Sequence, residues 1–128
     1  MSGWLSTHVL DTANGVPAAK MQLTLWRMDG PESKGEEHRP EFQYIKTVTT
    51  NNDGRTDAPL LEGKFLQLGF YEIIFSVGDY FAKLDDTLSK DRPFLSIVPI
   101  CFGISDVASH YHVPLLVSPW SYSTYRGS

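Results

Sequence analysis

Apolar residues recur at every second position along much of this chain. In residues 4–10, Leu5, Thr7 and Val9 fall on one side, and Ser6, His8 and Leu10 on the other. Residues 21–28 gather Met21, Leu23 and Leu25. Residues 69–77 gather Tyr71, Ile73, Phe75 and Val77. A period of two marks a strand with one buried face. Residues 42–50 are rich in aromatic and β-branched types, and residues 110–118 and 121–126 complete the alternating set. Residues 94–102 are apolar on both faces, as in a strand covered from both sides. Breakers separate these runs at Asp11–Pro17, at Asn51–Gly54 and at Ser118–Pro119. One segment, Asp79–Leu88, carries a helical spacing of Tyr80 or Phe81, Leu84 and Leu88, with Asp79 placed to cap it. The pattern predicts an all-β fold, a two-sheet β-sandwich with one short helix.

Pro99 and Pro114 fall inside predicted strands. Neither can donate to a ladder, so each must lie at an edge or a bulge, or turn its missing N–H toward a gap. The charged stretch Asp29–Glu41, with its glycines and prolines, reads as a solvated loop.

Composition narrows the function classes. The 128 residues are the length of one domain, and no internal repeat divides them. A formal charge of −4 gives no general footing for nucleic acid. No apolar run approaches the roughly 20 residues that span a bilayer. The N-terminal residues lack the basic and apolar regions of a secretory signal, so a cytoplasmic location is expected. One cysteine cannot build an internal disulfide framework. Cys101 stands in an apolar run and is expected to be a buried, unreactive thiol.

Familiar nucleophile and phosphate motifs are missing: no Gly-x-Ser-x-Gly elbow and no glycine-rich loop ahead of a helix. Aligning Gly54 with a calcium-loop glycine puts Thr49 and Leu60 at ligand positions, which rejects that reading. His110 and His112 are spaced to share one face of a strand, with Tyr111 opposite. Two imidazoles so placed suit zinc binding or acid/base work near neutral pH. A bare His-x-His is more often two polar residues on a wet surface. His8, Arg55 after the turn glycine, and Arg126 near the terminus are each ordinary surface residues when taken alone.

Their surroundings change that weighting. Leu5–Ala18, Thr50–Thr56 and His110–Ser128 together resemble the transthyretin-related family, in particular its 5-hydroxyisourate hydrolase branch. The terminal Tyr125-Arg126-Gly127-Ser128 is the most specific of these matches, because the hormone-carrier branch lacks it. Trp120 departs from the pattern, which has tyrosine there in many relatives. The resemblance implies an eight-stranded, prealbumin-type sandwich with a short strand near Gly54–Thr56. It implies a homotetramer with active sites at the dimer–dimer interface, and 5-hydroxyisourate as the substrate, without a cofactor. The catalytic positions fall on His8, Arg55 and His112, and the terminal motif on Tyr125, Arg126, Gly127 and Ser128. Strand parity agrees: Leu10 shares a face with His8, Pro114 and Leu116 with His112, and Ser123 with Tyr125, where Ser123 could bond substrate or water.

Two rivals follow from the same residues. One is a non-catalytic small-ligand binder of the same fold. It predicts loss of the histidines, the arginine and the terminal motif, all of which are present. The other is a metal-dependent hydrolase with His8, His110 and His112 as nitrogen ligands; the same trio could instead capture zinc and inhibit.

Overall fold

A computed structural model describes residues 2–28 and 42–127. The expected loop Asp29–Glu41 and the terminal Ser128 lie outside the described residues. The elements run β1 (Trp4–Asp11), β2 (Val16–Pro17), β3 (Gln22–Met28), β4 (Phe42–Thr49), β5 (Leu61–Glu62), β6 (Gly69–Phe75), α1 (Val77–Leu84), β7 (Val98–Ile104), β8 (His110–Val117) and β9 (Tyr122–Thr124). They form two sheets. One has the order β2-β1-β8-β9 with β5 also on β1, and the other the order β4-β3-β6-β7. β1 and β8 run parallel, and the other pairs are antiparallel. The all-β sandwich with one helix is therefore the observed fold.

The alternation in the sequence is what packs the two layers together. Leu5 and Val9 from β1, with Val113, Leu115 and Val117 from β8, meet Leu23 and Leu25 of β3 and Tyr71, Ile73 and Phe75 of β6 in one buried cluster. Burying each such side chain contributes about 1.5–3 kcal/mol. Two polar residues join this layer with their bonds made. Thr7 donates to the Val113 carbonyl at 2.7 Å. Asp11 accepts from the Tyr80 hydroxyl at 2.8 Å and from the Asn14 backbone and side chain.

The free edge of β1 is covered by three short pieces of chain. Leu61 and Glu62 pair with Leu5 and Trp4, and Val16 and Pro17 pair with Asp11 and Leu10. Between them Arg55 makes a single bridge to His8. The extra strand expected near Gly54–Thr56 is thus only that bridge, and the added strands are β2 and β5.

Other details also correct the sequence reading. The helix begins at Val77, two residues before the expected Asp79. Its N-cap is Ser76, without a side-chain bond. Tyr80 and Phe81 are buried, but Leu84 is 58% exposed and Leu88 lies beyond the helix. The strand expected at 94–102 runs from Val98 to Ile104, with Phe94 and Ile97 exposed ahead of it. It is an edge strand that alternates, not one covered on both faces, and this edge accommodates Pro99. The last strand is trimmed from 121–126 to Tyr122–Thr124. Cys101 is exposed rather than buried, because it takes the outward parity of β7, and its thiol donates to Glu72 at 3.2 Å. Partial desolvation, with the Glu72 carboxylate adding to it, raises the thiol pKa, which argues against a thiolate nucleophile. Pro114 sits in the interior of its sheet. The carbonyls of His112 and Pro114 accept from Gly127 N–H and Thr124 Oγ1, so the Pro114 nitrogen turns toward the stretch where Tyr125 and Arg126 leave the ladder.

Candidate active site

The register between β1 and β8 assembles the outer face of the first sheet. Trp4 lies beside His110, Ser6 beside His112, His8 beside Pro114 and Leu10 beside Leu116. Residues two apart on a strand share a face, so two histidines from distant parts of the chain meet on one surface. Both are partly buried.

His8 is held by its neighbour loop. Its Nε2 lies 2.8 Å from the backbone carbonyl of Asp53. A carbonyl only accepts, so Nε2 carries the proton and Nδ1 is the free acceptor of the neutral ring. That loop is organised by Asn51. The Asn51 side-chain oxygen accepts from the N–H groups of Asp53 and Arg55, at 2.9 and 3.2 Å. Its backbone N–H donates to the Arg55 carbonyl at 2.8 Å, and its amide nitrogen to Asp57 at 3.0 Å. Gly54, at φ +75°, presents its carbonyl to the Val9 N–H at 2.7 Å. A Cβ at Gly54 would collide with the Val9 carbonyl, so only glycine lets the loop lie this close to β1.

His112 is held from both flanks. Its Nδ1 is 2.7 Å from the Ser6 hydroxyl. On the other side Gly127 pairs with it, donating its N–H to the His112 carbonyl at 2.8 Å. Burial holds the His112 pKa below the ordinary imidazole range, and the positive charge of Arg55, joined by that of His8 whenever its ring is protonated, pushes it further down. Arg55 is exposed, and its charge acts on His112 from the loop beside His8. Both effects favour the neutral ring over the charged one.

Of the expected site residues, His8, Arg55, His112 and Gly127 come together. β9 and the terminus extend the surface. Ser123 pairs with Leu116, and the Gly127–His112 bridge keeps the same offset, which sets Tyr125 level with Pro114 on the histidine side. Ser123 and Tyr125 are exposed there. Arg126 falls on the other parity. Its guanidinium sits 4.2 Å over the Tyr111 ring and donates to the His110 carbonyl at 3.3 Å. It lines a cavity of about 280 Å³ between the sheet edges with Tyr125, Thr124 and residues of β7. Within one chain it is not gathered with the histidines. Trp120 is 63% exposed and borders a separate apolar cavity beside Phe81 and Phe94.

The three-histidine zinc set is not assembled within one chain. His110 is stacked on Trp4, with ring centroids 3.4 Å apart, and no three His, Cys, Asp or Glu side chains converge among the described residues. Ser6 is the residue that motif reading misses. Its parity with His8 was legible, but its contact with His112 depends on the parallel register.

The sequence matches the model of the HIUase/Transthyretin family over residues 5–127. It is 52% identical over 126 residues to the 5-hydroxyisourate hydrolase of Ralstonia nicotianae, covering 98% of this chain and 99% of that one. Among solved structures, the 5-hydroxyisourate hydrolase of Klebsiella pneumoniae superimposes with a TM-score of 0.73 at 30% identity, over 98% of this chain and 99% of the other. An (S)-allantoin synthase superimposes with a TM-score of 0.84 at 47% identity; the match takes in 99% of this chain but spans only 44% of that longer one. Full-length likeness in sequence, the same two-sheet frame and the histidine–arginine face it carries lead to one conclusion: the chain belongs to the HIUase/Transthyretin family.

Proposed function

We propose that this chain hydrolyses 5-hydroxyisourate to 2-oxo-4-hydroxy-4-carboxy-5-ureidoimidazoline, a step from urate toward allantoin. The observation that carries the chemistry is the placement of His8 and His112 on one face of adjacent strands, with Arg55 bridged to His8. The 52% identity to a 5-hydroxyisourate hydrolase supports the substrate.

In the proposed reaction a water oxygen adds to a cyclic amide carbonyl, the ring C–N bond breaks, and the nitrogen leaves with a proton. The attacking water must lose a proton in the same process. His8 offers its free Nδ1 to take it, and the Asp53 carbonyl on Nε2 stabilises the imidazolium that forms. His112 stands beside it as the second proton-handling group. Arg55 supplies a fixed charge and a planar fork for the oxygen on which negative charge develops. Ser123, Tyr125 and Gly127 border the substrate. Arg126 joins them only by moving off Tyr111 or by serving the site of a neighbouring copy. No step requires a metal or an organic cofactor.

The face is too open for hydrolytic catalysis by itself. Trp4 is 40% exposed, and Leu10 and Leu116 are only partly covered. A second copy laid on this sheet would wall the histidines into a cleft and bury those apolar groups. The reading is a homotetramer built from one domain over residues 1–128, working in the cytoplasm. A fold held by burial and backbone pairing, with one cysteine, suits a reducing compartment. No described helix is long and apolar enough to cross a membrane.

The test is direct. Urate oxidase generates 5-hydroxyisourate in the cuvette, and its decay is followed by ultraviolet absorbance with and without this protein. Catalysed decay is expected. An unchanged decay rate at micromolar protein would leave the small-ligand binder as the better reading.

A further inference from the structure

We propose that Ser6 is a positioning residue for this reaction: its hydroxyl donates to Nδ1 of His112 and fixes the tautomer whose Nε2 carries the proton. The inference deepens the hydrolase reading above and rests on it for the word reaction, but not for the tautomer.

Geometry sets the ring first. Nδ1 and Cδ2 are the two atoms flanking Cγ of an imidazole. Nδ1 meets Ser6 Oγ on the β1 side at 2.7 Å. Cδ2 faces Gly127 on the β9 side, where a Cβ on residue 127 would stand only 2.6 Å away. The ring is clamped across the sheet, and Nε2 lies on its far side, away from the backbone. A flipped ring would give Ser6 a carbon instead of a nitrogen and lose the bond. The clamp needs a short side chain at residue 6. Register-matched neighbours on adjacent strands are about 5 Å apart, and serine fills that gap with one rotatable hydroxyl.

The direction of the proton follows from the partners. Ser6 Oγ makes no other hydrogen bond among the described residues, so His112 Nδ1 is the acceptor available to its proton. If Nδ1 held the proton, the serine hydrogen would have no protein partner, and an unmatched donor is the rarer arrangement. His8 is the complementary case. Its partner is a carbonyl, which forces Nε2–H and leaves a bare Nδ1. Two like residues are thereby sorted by what holds them. His8 presents an acceptor and His112 presents a donor. Amide hydrolysis uses both: an acceptor for the proton of water, which His8 then returns to the departing nitrogen, and a hydrogen-bond donor to the carbonyl oxygen on which negative charge develops. With two bare nitrogens facing the substrate, the second function would be missing until one ring took up a proton.

The experiment reads the tautomer and the kinetics on the same intact protein. Long-range proton–nitrogen correlation spectra of ¹⁵N-histidine-labelled protein distinguish Nδ1–H from Nε2–H, and a His112→Gln sample assigns the signal. Wild type is expected to show His112 in the Nε2–H form. Ser6→Ala should mix the tautomers and lower kcat about ten-fold or more, with KM changed less than about two-fold, the pattern of a misplaced catalytic ring. Ser6→Thr keeps the hydroxyl, suits a strand and should restore both readouts. A wild-type His112 with its proton on Nδ1 would overturn the proposal, whatever the variants do. So would a Ser6→Ala protein with unaltered tautomer and kcat. If wild type fails to hydrolyse 5-hydroxyisourate, the hydrolase reading fails instead, and the spectra still decide the role of Ser6.

Discussion

Gly127 and His112 touch along the whole of their pairing: the Gly127 N–H reaches the His112 carbonyl at 2.8 Å, and the imidazole fills the space that a Cβ on residue 127 would occupy. A glycine next to a chain end ordinarily marks a tight final bend. The structure gives a different reason, close approach to a ring. Gly127→Ala should therefore push His112 aside and lower kcat about ten-fold or more, because small displacements of a catalytic group are costly. The melting temperature should barely move, since residue 127 contributes nothing to the buried core. Steady-state kinetics beside a thermal melt check both halves.

His8→Ala, Arg55→Ala and His112→Ala should each cut kcat/KM about 10²-fold or more, the scale of general acid–base and electrostatic groups. Each side chain lies on the outward face or the loop above it, so circular dichroism should report an intact fold. Arg55→Lys tests the fork against the bare charge. A rescue to within a few-fold of wild type would show that charge alone suffices.

The titration of His112 should carry the signature of its surroundings. Burial, Arg55 and His8 all lower its pKa, in that order. The His112 imidazole, followed by NMR, should then titrate below the ordinary value near 6.5. Arg55→Gln removes one of the depressing charges and should move the His112 titration upward, read by NMR even where activity is weak. Stability follows the same sign. The folded value lies below the unfolded one, so the unfolded chain binds the proton more readily. The contribution is present above about pH 6.5 and is lost as pH falls through the folded value.

The sandwich was legible because parity is a local property. Leu23 and Leu25, or Tyr71, Ile73 and Phe75, announce a buried face within a few residues. Two-residue strands such as Val16–Pro17 and Leu61–Glu62 have no period to read, and they exist because β1 needs its edge covered. Phe94 misleads because apolar character alone does not make a strand; it is 77% exposed ahead of β7. The site was half legible. His8, Arg55 and His112 came through a motif, but parity applied strictly would have separated Arg126 from Tyr125, since adjacent strand residues face opposite ways. Ser6 could not be found without the β1–β8 register, which spans more than a hundred residues of chain.

Tyr80→Phe tests the polar bond that ties α1 to β1. The Tyr80 hydroxyl donates to the buried Asp11, which then keeps only the Asn14 donors. Losing a hydrogen bond to a charged acceptor costs about 1.5–3 kcal/mol, which urea denaturation should report as a lower midpoint with an unchanged slope. Catalysis should hold at temperatures where the variant is folded, because Tyr80 and Asp11 face away from the histidines.

Leu116 offers the sharpest test of whether a second copy completes the cleft. It lies between Leu10 and Ser123 in register, on the face that carries His8 and His112, and is only partly buried within one chain. Leu115 beside it points into the core and is fully buried. A charge at residue 116 therefore costs the isolated chain little, but desolvating that charge under another copy costs several kcal/mol. Leu116→Glu should fold, with a melting curve that remains cooperative, and should sediment as a smaller species than wild type. If the opposing copy supplies the wall that excludes water, kcat/KM should fall about 10²-fold alongside dissociation, although every proposed catalytic residue is still present. High protein concentration should recover part of both, because assembly follows mass action. A dissociated Leu116→Glu protein with the wild-type rate would show that one sheet face is the whole site. A wild-type protein that sediments as a fully active monomer would remove the tetramer from the mechanism altogether.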